Sequence, residues 1–143
     1  MAELDSQVIG KVFEVAKAVT VTGEMIAAFC AATGATVTYA ADGRAIAPLS
    51  ISGSFRAAED IFDYLPKFER RLLASMELDF IETIFAGDEI RVASAVVDTY
   101  EKTGRSGPLR FTVIRTTLTN QHGRVVTRID QRFTSRPAVA PPN

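Results

Sequence analysis

The sequence predicts an α+β domain in which a long, curled antiparallel sheet wraps a helix, and three observations carry that prediction. From Met76 to Arg136 the chain reads as strands interrupted at three places, Gly87-Asp88, Gly104-Arg105-Ser106-Gly107 and Asn120-Gln121-His122-Gly123. Glycine and Asx residues gather there, where a chain reverses and a left-handed residue is often needed. The strands are long: about a dozen residues at roughly 3.3 Å each span on the order of 40 Å, and ribbons of that length in a small domain usually curl around something. Two stretches with helical spacing precede the sheet.

Within the sheet, Glu77 to Phe85 reads as a first, shorter strand and Glu89 to Lys102 as a second. In the second, Ile90, Val92, Val96 and Tyr100 share a face, while Ala93, Ala95 and Val97 make the opposite face apolar too. One face is expected to meet a helix and the other a neighbouring subunit. The last strand alternates most cleanly: Val125, Thr127, Ile129, Gln131 and Phe133 point one way and Arg124, Arg128, Asp130 and Arg132 the other, with Val126 out of place. The expected connection is a four-stranded antiparallel meander.

Before the sheet, Lys11 to Val21 alternates with Phe13, Val15, Val19 and Val21 on one face, as a strand does. Thr22 is an N-cap for a helix with Glu24 in its first turn and a stripe of Met25, Ile26, Phe29 and Cys30, stopped by Gly34. Cys30 in such a stripe reads as a small hydrophobe, since no basic residue lies close in sequence to activate it. Ala35 to Ser52 is loop-like, with Asp42-Gly43 as a turn and Ala47-Pro48 extended. Ser52-Gly53-Ser54 then caps a second helix whose face is Phe55, Ala58, Ile61, Phe62 and Leu65, ended by Pro66. Lys67 to Arg71 leads into the sheet. Residues 1–136 are expected to form one domain, and the Pro-rich 137–143 a mobile tail.

Composition narrows the function. The 143 residues are 47% apolar and 23% charged, a globular balance that allows a core without disulfides. A net charge of −1 gives no electrostatic reason to bind nucleic acid or an anionic membrane, so a partner must be chosen by shape. One cysteine excludes an internal disulfide, and the opening Met1-Ala2-Glu3-Leu4-Asp5 lacks the basic and apolar run of a secretion signal. A cytoplasmic location is expected. No stretch reaches membrane-spanning length, and no metal-ligand cluster or cofactor motif is visible.

The order strand, helix, loop, helix, sheet fits two superfolds: the hot-dog, whose sheet wraps one central helix and whose protomers pair, and the cone of the nuclear-transport-factor-2 type, with its own ligand pocket. Particular residues then resemble a family. Ala86-Gly87-Asp88-Glu89-Ile90, Val96-Val97, Lys102-Thr103-Gly104, Gly107, Phe111, Thr116-Thr117, Asn120-Gln121-x-Gly123 and Arg136 form an ordered set similar to the MaoC-like hot-dog hydratases. The branch they resemble is that of the fungal fatty-acid-synthase dehydratase domains. Val21-Thr22, Ala31-Ala32-Thr33-Gly34 and Ile46-Ala47-Pro48 fit as well, so the resemblance covers nearly the whole chain.

The resemblance implies addition or removal of water at the β-carbon of an acyl thioester carried on coenzyme A or acyl carrier protein. In the family, an Asp and a His in a D-x-N-x-x-H loop after the first helix do the acid-base work, and N–H groups at a helix start polarise the thioester carbonyl. This chain departs there. After Gly34 it reads Ala35-Thr36-Val37-Thr38-Tyr39-Ala40-Ala41-Asp42-Gly43, with no histidine and with Asp42 too late and in a turn. The segment up to Pro48 is short, as if the usual start of the central helix were missing.

The single histidine, His122, lies at a hairpin tip, a poor place to hold a reacting group. Glu77, Asp79, Glu82, Asp88, Glu89, Asp98 and Glu101 lie on or beside strands and read as mostly solvated, and Glu59 and Asp60 fall at the wetter edge of the second helix. No catalytic residue and no metal ligand is therefore assigned in this chain. The candidate substrate-binding residues are Ser52, Gly53, Ser54 and Phe55, since a glycine-containing helix start presents free N–H groups to a thioester carbonyl. The implied role is that of a non-catalytic, tunnel-shaping subunit for long or bulky acyl groups, beside a second hot-dog subunit that supplies the Asp/His loop. An acyl-thioester-binding scaffold is the alternative.

Overall fold

In the computed structural model of the protein, the residues described are 8–15, 17–55, 61, 65 and 70–136. Among these residues, eight strands and one α-helix follow one another as β1 (Phe13–Glu14), β2 (Val19–Thr20), α1 (Gly23–Thr33), β3 (Thr38–Tyr39), β4 (Ala45–Ile46), β5 (Arg70–Phe80), β6 (Glu89–Gly104), β7 (Gly107–Thr119) and β8 (Val125–Arg136). A 3-10 turn, Leu49–Ser54, follows β4.

The large sheet runs β1-β6-β7-β8-β5, with β2 also on β6. Its three reversals fall where the glycine and Asx clusters predict, but the sheet is not a four-stranded meander. Only β6, β7 and β8 follow one another; β5 crosses over to lie antiparallel beside β8, from Arg70 opposite Arg136 to Phe80 opposite Thr127. The strand also begins at Arg70 and ends at Phe80, earlier at both ends than Glu77 to Phe85. Beyond it, the N–H groups of Ile81 and Glu82 both bond to the Val126 carbonyl, at 2.9 and 3.1 Å, and turn the chain away from the sheet.

Three bulges set the side-chain faces. The register slips at Val97 on β6, at Ala74 on β5 and at Val126 on β8, where each extra residue opposes none on the neighbouring strand. Val126 is buried next to the likewise buried Thr127, so the bulge turns two successive residues inward and explains the break in alternation. At Val97 the bulge reverses parity: Val92, Ser94 and Val96 face the core, but Tyr100 moves to the opposite face from Val96, where its ring stacks on Phe111 at 5.0 Å. The expected shared face of Ile90, Val92, Val96 and Tyr100 therefore loses its last member.

The predicted first strand is broken in two. Glu14 pairs with Ala93 and Val19 with Ile90, so the two pairings lie only three residues apart on β6 while five apart in the first segment, and Val15 is exposed between them. The first helix forms as the caps dictate. The Thr22 hydroxyl accepts from Met25 N at 3.1 Å, and Gly34 closes the helix at φ 74°, a left-handed conformation that glycine adopts without penalty.

Two apolar clusters fill the concave side. One joins Ile26 and Cys30 of α1 to Ile51, Phe55, Ile84, Ile90, Leu118 and Val126; the other joins Val8, Phe13, Ile61 and Leu65 to Val96 and Ile114. Fully buried isoleucines such as Ile26, Ile61 and Ile114 each contribute roughly 2–3 kcal/mol. Phe55, Ile61 and Leu65 are the described members of the second predicted stripe, and all three are buried against the sheet. Ala58, Glu59, Asp60, Phe62 and the tail 137–143 lie outside the described residues.

Candidate functional site

The candidate binding residues 52–55 follow the 35–48 segment and pack beside α1 and the sheet. Between Gly34 and Pro48, where the resemblance leads one to expect an Asp/His loop, the chain folds into a small hairpin. Thr38 pairs with Ile46 and Tyr39 with Ala45 across the Asp42-Gly43 turn. Asp42 works inside that turn: its carboxylate accepts from Arg44 N at 3.0 Å and Arg44 Nε at 2.8 Å. Those two bonds hold the carboxyl below its ordinary range, the backbone one having the larger effect. Arg44 in turn lies 4.1 Å over the Phe85 ring. The hairpin is pinned to the next connection by Ala47 N to Ile84 O at 2.8 Å and Ala86 N to Ala45 O at 2.9 Å. Such a hairpin holds neither an acid nor a base toward the core.

Ser52, Gly53, Ser54 and Phe55 come together in the last turn of the 3-10 segment and its exit, and they do not behave alike. Ser52 is buried, and its hydroxyl hydrogen-bonds that of Thr127 at 2.9 Å, tying the segment to β8. The Ser54 hydroxyl donates to Ile51 O at 2.6 Å. Phe55 packs in the first apolar cluster. Gly53 is exposed, and a Cβ built there meets nothing within 4 Å. Both hydroxyls are thus committed to the protein, and what is open in the segment is the space beside Gly53 that a side chain would fill. Two clefts on the sheet lie elsewhere: one of about 370 Å³ beside Glu14, Arg91 and Thr119, and one of about 500 Å³ beside Glu77, Arg115 and Asp130.

The concave face is lined by apolar and hydroxyl groups. Ser94 and Thr116 share a hydrogen bond of 2.8 Å there, both buried. Among the described residues the one buried carboxylate is Asp88, which sequence reasoning had grouped with the mostly solvated acids. It sits in the Gly-Asp turn, where Oδ2 accepts from Phe85 N and Oδ1 from Gln121 Nε2, each at 2.9 Å. The Asp88 side chain is a structural tie, and its pairing with the Asn-Gln-x-Gly turn was the signal that would have identified it. His122 is exposed at that turn, 3.4 Å from the Gln121 amide nitrogen. Cys30 is a free, buried thiol within α1.

The chain matches the family model of the FAS1-like dehydratase domain region over residues 7–129. Among solved structures, a chain of the HadBC complex, a (3R)-hydroxyacyl-ACP dehydratase of Mycobacterium tuberculosis, superposes with a TM-score of 0.67 at 16% identity, covering 89% of this chain and 96% of that one. The MaoC-like dehydratase of Rhodospirillum rubrum gives a TM-score of 0.63 at 19% identity, covering 92% and 94%. A Mycobacterium tuberculosis protein with a double hot-dog fold gives 0.59 at 20% identity, covering 94% of this chain and 44% of its own. Among curated proteins, none matches in sequence. The fold is accordingly the hot-dog, which sets aside the cone-shaped alternative, and no helix among the described residues is long and apolar enough to cross a membrane. This chain belongs to the family of the FAS1-like dehydratase domain region.

Proposed function

We propose that this chain is a cytoplasmic subunit of an enoyl-thioester hydratase or 3-hydroxyacyl-thioester dehydratase, paired with a second hot-dog subunit that carries the catalytic Asp and His. The observation that carries the reading is the β3–β4 hairpin: the family is a dehydratase family, yet the place of its acid-base loop is taken by residues 38–46, which turn their one carboxylate to Arg44. That HadBC is a complex, and that a neighbour joins two hot-dogs in one chain, supports a partner.

In the hydration direction a base on the partner would take a proton from water as oxygen bonds to the β-carbon, and negative charge would collect on the thioester oxygen. The α-carbon then takes a proton. The part of this chain is to bind and shape. The segment Ser52, Gly53, Ser54 and Phe55 would lie along the acyl thioester at the open space beside Gly53, while Ser52 and Phe55 anchor it to the sheet. The short 35–47 segment leaves room for a long or bulky acyl group on coenzyme A or acyl carrier protein.

Co-expression with a hot-dog subunit that carries the D-x-N-x-x-H loop, followed by enoyl-thioester hydration assays from short linear to polycyclic acyl groups, tests the reading. Turnover should need both chains and favour the bulky substrates. Robust turnover by this chain alone would overturn it, and binding of the thioester without turnover by the pair would favour the scaffold alternative.

A further inference from the structure

On the convex face of the large sheet, three arginines stand together with no carboxylate among the side chains between them. Arg70 of β5 lies directly opposite Arg136 of β8, and Arg132 occupies the same face of β8. Directly opposed like charges weaken a ladder. The side chains of this face that lie around them are Thr134 on β8, Leu72 and Ser75 on β5, and Phe111 and Val113 on β7, all uncharged. The patch is remote from residues 52–55: Ser52 is tied to Thr127, which lies about 23 Å along β8 from Thr134 and faces the other side of the sheet.

The positive charge here is not consumed within the described residues. Arg132 keeps its Nε buried without a hydrogen-bond acceptor. The next acid along its face, Asp130, is already clamped by Arg115 at 2.8 and 3.0 Å and feels Arg132 only through space. Asp98 shares the face but stands opposite Val113 on β6, two strands from Arg132. A buried donor without an acceptor is rare in a folded protein, and a guanidinium is satisfied best by two oxygens of one oxyanion.

Between the arginines runs an uncharged strip that crosses four strands, from Tyr100 through Phe111 and Thr134 to Leu72. The Tyr100 and Phe111 rings stack at 5.0 Å with their planes 8° apart, and the Lys102 Nζ lies 5.7 and 5.8 Å from their centroids. Leu72 is 72% exposed. Arg132 and Arg136 are about 13 Å apart along β8, so their extended side chains can meet over Thr134. Four cations thus hem an apolar strip, with Asp98 the acid on its border. A bare phosphate would use the cations and leave the strip uncovered, whereas a ligand with a planar ring and two linked phosphates uses both, through guanidinium–phosphate forks and contact of the ring with the strip.

We propose that this convex patch is a binding site for a soluble nucleoside diphosphate, with the phosphates held by Arg70, Arg132 and Arg136 and the base laid on the strip of Phe111 and Leu72. The site is separate from the thioester reaction and does not depend on it.

Equilibrium dialysis of the purified chain with labelled adenosine diphosphate tests the proposal. At low salt the Kd should be about 0.1 mM or tighter, and inorganic pyrophosphate should bind at least about tenfold more weakly. No binding at about 10 mM, or pyrophosphate binding as tightly as the nucleotide, would overturn it. Arg132→Gln and Leu72→Asp should each weaken the nucleotide at least about tenfold, while Arg91→Gln, an exposed arginine at the far end of the same face, should leave its Kd unchanged. An equal loss with Arg91→Gln would reduce the effect to net charge and refute the site. Arg70→Gln relieves the opposition to Arg136, so without ligand it should melt at or above the parent's temperature, yet it should lose the rise in melting temperature that the nucleotide gives the parent. This readout stands even if Arg132→Gln folds poorly, and a parent-like rise in Arg70→Gln would overturn the assignment. Co-sedimentation with phosphatidylglycerol vesicles in a chain that binds no nucleotide would give the cations to a lipid headgroup and overturn it as well.

Discussion

Gln121 reaches across from one turn to another and holds Asp88 and Glu89 with the two ends of its amide: Nε2 donates to Asp88 Oδ1 at 2.9 Å, while Oε1 accepts from Glu89 N at 3.1 Å. Asp88 is buried and accepts from Phe85 N as well, so its carboxylate closes its own turn and locks the β7–β8 hairpin to it. Asn120 completes the junction, its Oδ1 accepting from His122 N and Arg124 N at 3.0 and 3.1 Å. The residues most responsible for the family resemblance are therefore architectural. Asp88→Ala should cost roughly 2–4 kcal/mol, because it removes two bonds to a charged group and strands a backbone donor, while Gln121→Ala should cost roughly 1 kcal/mol. Urea midpoints measure both; a parent-like midpoint for Asp88→Ala would refute the tie.

His122 lies within this junction yet contributes only its backbone N–H, as its exposure and the long 3.4 Å approach to Gln121 show. His122→Ala should change stability by no more than about 0.5 kcal/mol. In the assembled complex it should leave kcat/KM within about tenfold, or roughly 1.4 kcal/mol of barrier. A larger fall would move the reaction centre to this hairpin.

The reversals at 87–88, 104–107 and 120–123 and the helix between Thr22 and Gly34 were legible because turns and caps are written in neighbouring residues. The placement of β5 was not. Its pairing with β8 joins positions as far apart as Arg70 and Arg136, and nothing local distinguishes that from pairing with β6. Two of the bulges escaped for the same reason: Val97 and Ala74 look ordinary until a partner strand fixes which residue is extra, whereas Val126 already broke the alternation of its strand. At the site, the absence of a histidine from residues 35–48 was plain, but the β3–β4 hairpin was hidden because its strands are two residues each. Ser52 looked like a cap, and only the fold reveals Thr127 as its partner, 75 positions away.

Asp130 should mark the acid limb of stability. Hydrogen bonds from Arg115, at 2.8 and 3.0 Å, hold its carboxyl below the usual value, with Arg128 and Arg132 adding smaller Coulombic help. The folded form thus favours the charged carboxylate more than the unfolded chain does. The resulting stability is present above the unfolded carboxyl pKa, about 4, and is lost as pH falls through the lower folded one. Since both groups are partly solvated, the pair is worth only about 1 kcal/mol after screening. Asp130→Asn should lose that amount at pH 7 and have a flatter decline toward pH 3. An acid limb as steep as the parent's would assign it to other carboxylates.

The Ser52–Phe55 segment allows architecture and binding to be separated by mutation. Ser52→Ala leaves the buried Thr127 hydroxyl without its partner and should destabilise by roughly 1–3 kcal/mol, whereas the double change Ser52→Ala with Thr127→Val removes both polar groups and should recover part of that loss. Gly53 should behave in the opposite way. Its φ is not positive and its Cβ position is open, so Gly53→Ala should fold at least as well as the parent, by up to about 1 kcal/mol. A methyl group there would nevertheless stand where the proposed function puts the thioester. In the assembled complex, kcat/KM for an enoyl thioester should fall by about tenfold or more with no loss in melting temperature. If Gly53→Ala melts like the parent and turns over like the parent, the segment is only a brace between α1 and β8, and the acyl group lies elsewhere.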